Sequence, residues 1–88
     1  MNKIYITNHV KSEILSICGL PAIKPYNLNG FTSLSTLGIN SKNACSMLES
    51  KLQTIAMHYE TGTKILPDTI SSDFTVNQCV KLVMANVD

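Results

Sequence analysis

The sequence contains no arginine and no tryptophan, and only 15% of its residues are charged. The seven basic residues are all lysines, scattered along the chain, and the formal net charge is +1. Without arginine the chain lacks the side chain that contacts phosphates and base edges in a bidentate way, and no basic stripe forms. Nucleic acid is therefore not an expected partner.

Long apolar segments are also missing. No run approaches the ~18 apolar residues that a membrane span requires. Polar residues at Asn2, Thr7, Asn8 and Lys11 interrupt the first segment, which therefore lacks the apolar core of a signal peptide. We expect a monomer located in the cytoplasm, with no membrane span.

The three cysteines, Cys18, Cys45 and Cys79, are far apart, odd in number and never arranged as CxxC. A disulfide scaffold or a zinc site is therefore not expected, and no metal ligands are predicted. Each cysteine falls among apolar helical positions, which favours three reduced thiols buried as small apolar side chains.

Apolar spacing predicts three longer helices. The first covers about Asn8–Cys18, with Thr7 or Asn8 as its cap and Gly19 and Pro21 at its end. Its apolar face is formed by Ile6, Val10, Ile14 and Ile17. The second begins at Asn40 or Ser41, ends at Met57 or His58, and has an apolar stripe at Ala44, Cys45, Leu48, Leu52 and Ile55.

The third of the longer helices is the last in the chain. Thr75 and Gln78 form a capping box at its start, with Phe74 and Cys79 in the flanking staple positions. Its apolar face is formed by Val76, Cys79, Val80, Val83 and Val87. Before it, Pro67 suits the first turn of one brief helix within residues 65–70.

The predicted fold is all-α, a single domain over residues 1–88. It is a four-helix bundle of three longer helices and one short helix. A long first connection, residues 20–40, carries several apolar residues and is expected to pack on the bundle.

This helix order and the residues around Ser41 resemble the acyl carrier protein family, over about residues 8–87. The motif residues are Leu37-Gly38-Ile39-Asn40-Ser41-Lys42, where the family has a sequence close to L-G-x-D-S-L. Leu66-Pro67-Asp68 resembles the family's I-P-D start of its third helix, and Phe74-Thr75-Val76 resembles its I-T-T-V start of the fourth.

The resemblance implies a carrier that is not itself an enzyme and has no catalytic residue. Ser41 would carry 4'-phosphopantetheine as a covalent cofactor, with Asn40 and Lys42 beside it. The arm would hold an acyl group as a thioester and present it to partner enzymes. The implied partners are a phosphopantetheinyl transferase and acyl-transferring or synthase enzymes, as in lipid or fatty acid biosynthesis. Met47, Ile65 and Leu66 are the candidate residues of an acyl groove and partner face.

Three departures from the family pattern stand out. Asn40 replaces an aspartate that helps to position metal and substrate for the loading enzyme, and Lys42 replaces an apolar partner contact. The second helix offers one carboxylate, Glu49, where the family has many. These changes indicate a specialised carrier, or a carrier-like protein that is not loaded.

Simpler interpretations stand beside this one. Ser41 suits an ordinary N-cap, a role compatible with modification. His9 and His58 are expected at the surface or at helix ends, and Glu49 and Asp68 are expected to be solvated. The alternative function is a carrier-like helical adaptor or chaperone, never loaded, that binds a protein partner through a groove.

Overall fold

The computed structural model describes residues 3–20 and 23–86. In these residues three α-helices form: α1, Lys3–Ile17; α2, Lys42–His58; and α3, Val76–Val83. A single 3₁₀ turn, Pro25–Asn27, lies in the first connection. The only β pairing in these ranges is one isolated bridge between Ser33 and Thr75. The protein is a small all-α bundle, as the sequence predicts.

The first helix begins earlier than predicted. It starts at Lys3, so Thr7 and Asn8 lie within it and cap nothing. Its end, at Ile17, is within one residue of the prediction. After α1, the Leu20 N–H donates to the Leu15 carbonyl (2.8 Å), which is the 6→1 hydrogen bond of a Schellman motif at a helix C-terminus. The predicted contributions of Pro21 and Val87 lie outside the described residues.

The second helix confirms its predicted boundaries, and the third confirms its predicted start, because both begin at capping residues. The third helix ends at Val83, before the last apolar position that was predicted for its face. Ser41 caps α2, and Thr75 and Gln78 form the complete capping box of α3. In the described residues the two predicted apolar faces are buried except for Ala44, which is half-buried. They belong to one core that includes these side chains: Ile6, Val10, Ile14, Cys45, Leu48, Leu52, Ile55, Val76, Cys79, Val80 and Val83.

The predicted short helix between α2 and α3 is wrong. Residues 65–70 contain a turn, and Asp68 has a left-handed backbone (φ 63°) that interrupts a right-handed helix. Two α2 side chains, one helical turn apart, bond this segment instead. Gln53 Oε1 accepts from the Ile65 N–H (2.7 Å), and Glu49 Oε2 accepts from the Ile70 N–H (2.8 Å). These side chains supply acceptors for N–H groups that helical carbonyls do not satisfy.

The first connection packs on the bundle through only part of its apolar residues. Leu28, Leu34 and Ile39 are buried, whereas Tyr26 and Phe31 are exposed. Backbone carbonyls of the connection also accept hydrogen bonds from the first N–H groups of α3. The Val76 N–H donates to the Thr32 carbonyl (3.0 Å), and the Asn77 N–H donates to the Gly30 carbonyl (2.8 Å).

Gly30 is a position where the connection lies close to α3. A Cβ atom there would overlap the side-chain amide of Asn77. We expect Gly30→Ala to lower the free energy of unfolding by about 1 kcal/mol, because the Asn77 amide must leave its rotamer. Urea denaturation of Gly30→Ala, Asn77→Ala and the double variant measures the coupling. The loss should disappear in the Asn77→Ala background. An equal loss in both backgrounds would refute this contact as the cause.

Candidate functional site

The predicted attachment residue, Ser41, lies at the start of α2 with its side chain exposed. Its backbone is extended (φ −114°, ψ 158°), and its Oγ accepts a hydrogen bond from the Ala44 N–H at 3.1 Å. The hydroxyl is thus held at one place yet open to solvent. Its own proton remains available to donate.

Backbone donors next to Ser41 are open as well. The first N–H groups of a helix have no intrahelical acceptor, and no acceptor for the N–H groups of Lys42 and Asn43 is found in residues 3–20 and 23–86. Together with the positive end of the helix dipole, these donors favour an anion such as a phosphodiester. The residues present therefore fit a phosphate ester on Ser41.

The loop before Ser41 is fixed by buried side chains and a tight turn. Leu34 and Ile39 are almost fully enclosed, and the Ile39 N–H donates to the Leu34 carbonyl (2.9 Å). Between them Gly38 has φ 92°, a conformation that residues with a Cβ rarely adopt. The chain therefore turns at Gly38, so that Ile39 is buried while Asn40 and Ser41 stay exposed.

Two adjoining cavities, which we call together the α2 groove, lie between α2 and residues 65–72. The first, about 190 Å³, includes Asn40, Ser41, Lys42 and Asp68 in its lining. The second, about 410 Å³, includes Gln53, Ile65 and Pro67. Ser46 and Glu49 line both cavities, so the two cavities are neighbours along α2, one beside Ser41 and the other beside Ile65.

The groove differs in composition from the predicted apolar one. Ile65 is half-buried and lines it, but Met47 and Leu66 line neither cavity and are 53% and 58% exposed. Hydroxyl, amide and charged side chains form much of the wall. The structure thus brings Asn40, Ser41 and Lys42 together in one cavity and leaves two of the three predicted apolar groove residues outside.

The interpretation of Glu49 as a solvated side chain is wrong, whereas Asp68 is exposed as expected. Glu49 is only 8% exposed, because residues 65–72 cover this face of α2. The contact to Ile70 joins residues 21 positions apart, and helical spacing alone carries no signal of it.

The cysteines confirm most of the sequence interpretation. Cys45 and Cys79 are buried, Cys18 is half-buried, and all three are free thiols. Burial, followed by the charge of Glu49, raises the pKa of the Cys45 thiol. Burial, followed by interaction with Cys45, raises the pKa of Cys79 to about 12. These two thiols therefore stay protonated at neutral pH and are poor nucleophiles.

A second polar cluster joins α1 to the end of α2. His9 Nδ1 lies 3.3 Å from the Tyr59 hydroxyl, and the His9 and His58 rings are 6.2 Å apart between centroids. Lys51 Nζ lies 3.2 Å from Glu13 Oε2 at the edge of the same cluster. No set of three or more His, Cys, Asp or Glu suited to a metal ion occurs in the described ranges.

None of the helices within those ranges combines the length and the apolar character that crossing a membrane requires. Comparisons of the chain with protein-family models, with curated proteins and with solved structures found no match.

Proposed function

We propose that the protein is a carrier that holds an acyl group as a thioester on a 4'-phosphopantetheine arm attached to Ser41. The observation that carries the proposal is the exposed Ser41 hydroxyl at the N-cap of α2, beside open backbone N–H groups. The resemblance of residues 37–42 to a carrier motif, with departures at Asn40 and Lys42, supports the proposal from the sequence. The carrier itself catalyses no reaction.

Loading would take place on a separate transferase. Ser41 Oγ attacks the phosphorus of coenzyme A that bears the pantetheine, and its proton passes to a base of the transferase. The new P–O bond forms as the pyrophosphate P–O bond breaks, and adenosine 3',5'-bisphosphate leaves. The helix N-terminus then stabilises the phosphodiester charge, by about 0.3–1 kcal/mol at an exposed site.

The function is tested by the intact mass of the protein after co-expression with a broad-specificity phosphopantetheinyl transferase. We expect a gain equal to one 4'-phosphopantetheine group. An unchanged mass, in a sample where a known carrier is fully loaded by the same transferase, would count against the carrier function. That result would favour the adaptor that is never loaded.

Asn40 and Lys42 are expected to set the rate of loading rather than the stability of the fold. Both are exposed, so Asn40→Asp and Lys42→Leu should change the free energy of unfolding by less than about 0.5 kcal/mol. Asn40→Asp, alone or with Lys42→Leu, should raise the initial loading rate by a general transferase roughly tenfold. One hydrogen bond to a charged group is sufficient for such an effect.

The matched control for this comparison is Asn43→Asp, which adds the same charge at a neighbouring exposed position of α2. Its loading rate should stay within about twofold of the wild-type rate, because position 43 lies outside the motif. Equal rates for Asn40→Asp and Asn43→Asp would show that charge near the helix start, and not the motif position, determines loading.

A further inference from the structure

Glu49 is buried without the partners that a buried charge normally has. Glu49 is only 8% exposed. Its carboxylate nevertheless makes a single hydrogen bond within the described residues, which Oε2 accepts from the Ile70 N–H. The ion pairs found in those residues join Glu13 to His9 and Lys51 and do not include Glu49. Buried carboxylates are usually paired or bonded more fully.

The second oxygen of this carboxylate, Oε1, is not fully enclosed by protein atoms. Every fully enclosed side-chain oxygen or nitrogen in residues 3–20 and 23–86 has a hydrogen-bond partner. Since Oε1 has none there, it is not fully enclosed. Glu49 lines both cavities, so the α2 groove is the open space beside this carboxylate.

The charges around the groove favour a cation. The residues that line the first cavity include two acidic ones, Glu49 and Asp68, and one basic one, Lys42. Asp68 and Lys42 are exposed and hydrated, whereas Glu49 is mostly removed from water. The charge with the largest effect on a ligand inside the groove is therefore negative.

We propose that the α2 groove binds a primary ammonium group, which donates an N–H to Glu49 Oε1. This rests on the proposed function for its biological ligand, an aminoacyl cargo carried by the arm on Ser41. Glu49 follows Ser41 by eight positions, about 12 Å along the helix axis. The cavity volumes, about 190 and 410 Å³, suit a small ligand.

The test uses the unloaded full chain and two stable probes of almost equal shape, 3-aminopropanamide and butanamide. The two molecules differ only at one end, where 3-aminopropanamide has an ammonium group and butanamide has a methyl group. We expect 3-aminopropanamide to shift the amide resonances of Ile70 and Ser46 in a saturable titration. Its affinity should exceed that of butanamide by about tenfold, as one charge-assisted hydrogen bond allows.

The decisive variant is Glu49→Gln, whose Oε1 can still accept from the Ile70 N–H and so preserve the fold. It should remove the preference for the ammonium probe, while Asp68→Asn should change it by less than about threefold. An undiminished preference in a folded Glu49→Gln protein, or equal binding of both probes to the wild type, would overturn the proposal.

Failure of this proposal is distinguishable from failure of the carrier function. The titration requires no modification at Ser41, so it tests the groove whether or not the protein is ever loaded. Loading at Ser41 without any ammonium preference would overturn the groove proposal alone. An ammonium preference in a protein that is never loaded would support the groove and contradict the carrier function.

Discussion

Replacing Ser41 with alanine is expected to leave the protein with no covalent arm under conditions that load the wild type completely. Ser41 Oγ is the only nucleophile that the proposal uses, and alanine has none. The variant should still fold, because loss of an N-cap hydroxyl costs about 1 kcal/mol. The mass gain should therefore fall to zero while the circular dichroism spectrum is retained.

Ser50→Ala is the matched control for Ser41→Ala, because Ser50 is also an exposed serine associated with α2 and the groove. It should load at the wild-type rate. Ser41→Ala removes both the hydroxyl and the N-cap of α2. The further variant Ser41→Asn removes the hydroxyl but keeps a side chain that can cap the helix. Asparagine caps a helix as well as serine does, so that variant should regain stability but not loading.

The second large effect is expected in the core. Leu52 is fully buried at the centre of α2, and Leu52→Ala should lower the free energy of unfolding by about 2–5 kcal/mol. This loss combines the transfer of apolar surface to water with the cavity that remains. It is a large part of the 5–15 kcal/mol that typically stabilises a domain.

Urea denaturation measures this loss against Met57→Ala, which truncates an apolar side chain of the same helix that is 70% exposed. Met57→Ala should cost less than about 0.5 kcal/mol. A loss for Leu52→Ala as small as that for Met57→Ala would contradict the packing of α2 against α1 and α3.

The parts of the fold that were predictable are those with local signals. Ser41 and Thr75 each accept a hydrogen bond from a backbone N–H three residues later. A few neighbouring residues therefore determine where α2 and α3 begin. For α1 the local signals were misleading, because Thr7 and Asn8 have the residue types of caps although they lie inside the helix.

Residues 65–70 show why the rest was not predictable. Pro67 permits a first helical turn, but the segment instead bonds to Gln53 and Glu49 of α2. These partners lie 12 and 21 positions away in the sequence. Long-range bonds overrode a weak local preference, which also explains why the burial of Glu49 and the polar groove were missed.

The candidate site was predictable in its centre and less so in its surroundings. Asn40, Ser41 and Lys42 are consecutive, so a correct helix start was enough to place them together. Met47 lies off the apolar stripe of α2, so the spacing of apolar residues already indicates its partial exposure. The exposure of Leu66 depends on the path of residues 63–70 across α2, which that spacing does not specify.

The central claim is that an arm is attached at Ser41, and peptide mapping after loading in vitro tests it most directly. The purified protein is incubated with coenzyme A and a broad-specificity transferase, digested, and fragmented by tandem mass spectrometry. The account predicts one phosphopantetheine group, on the peptide that contains Ser41 and at that residue. An unmodified Ser41, or attachment at Ser46 or any other residue, would contradict it.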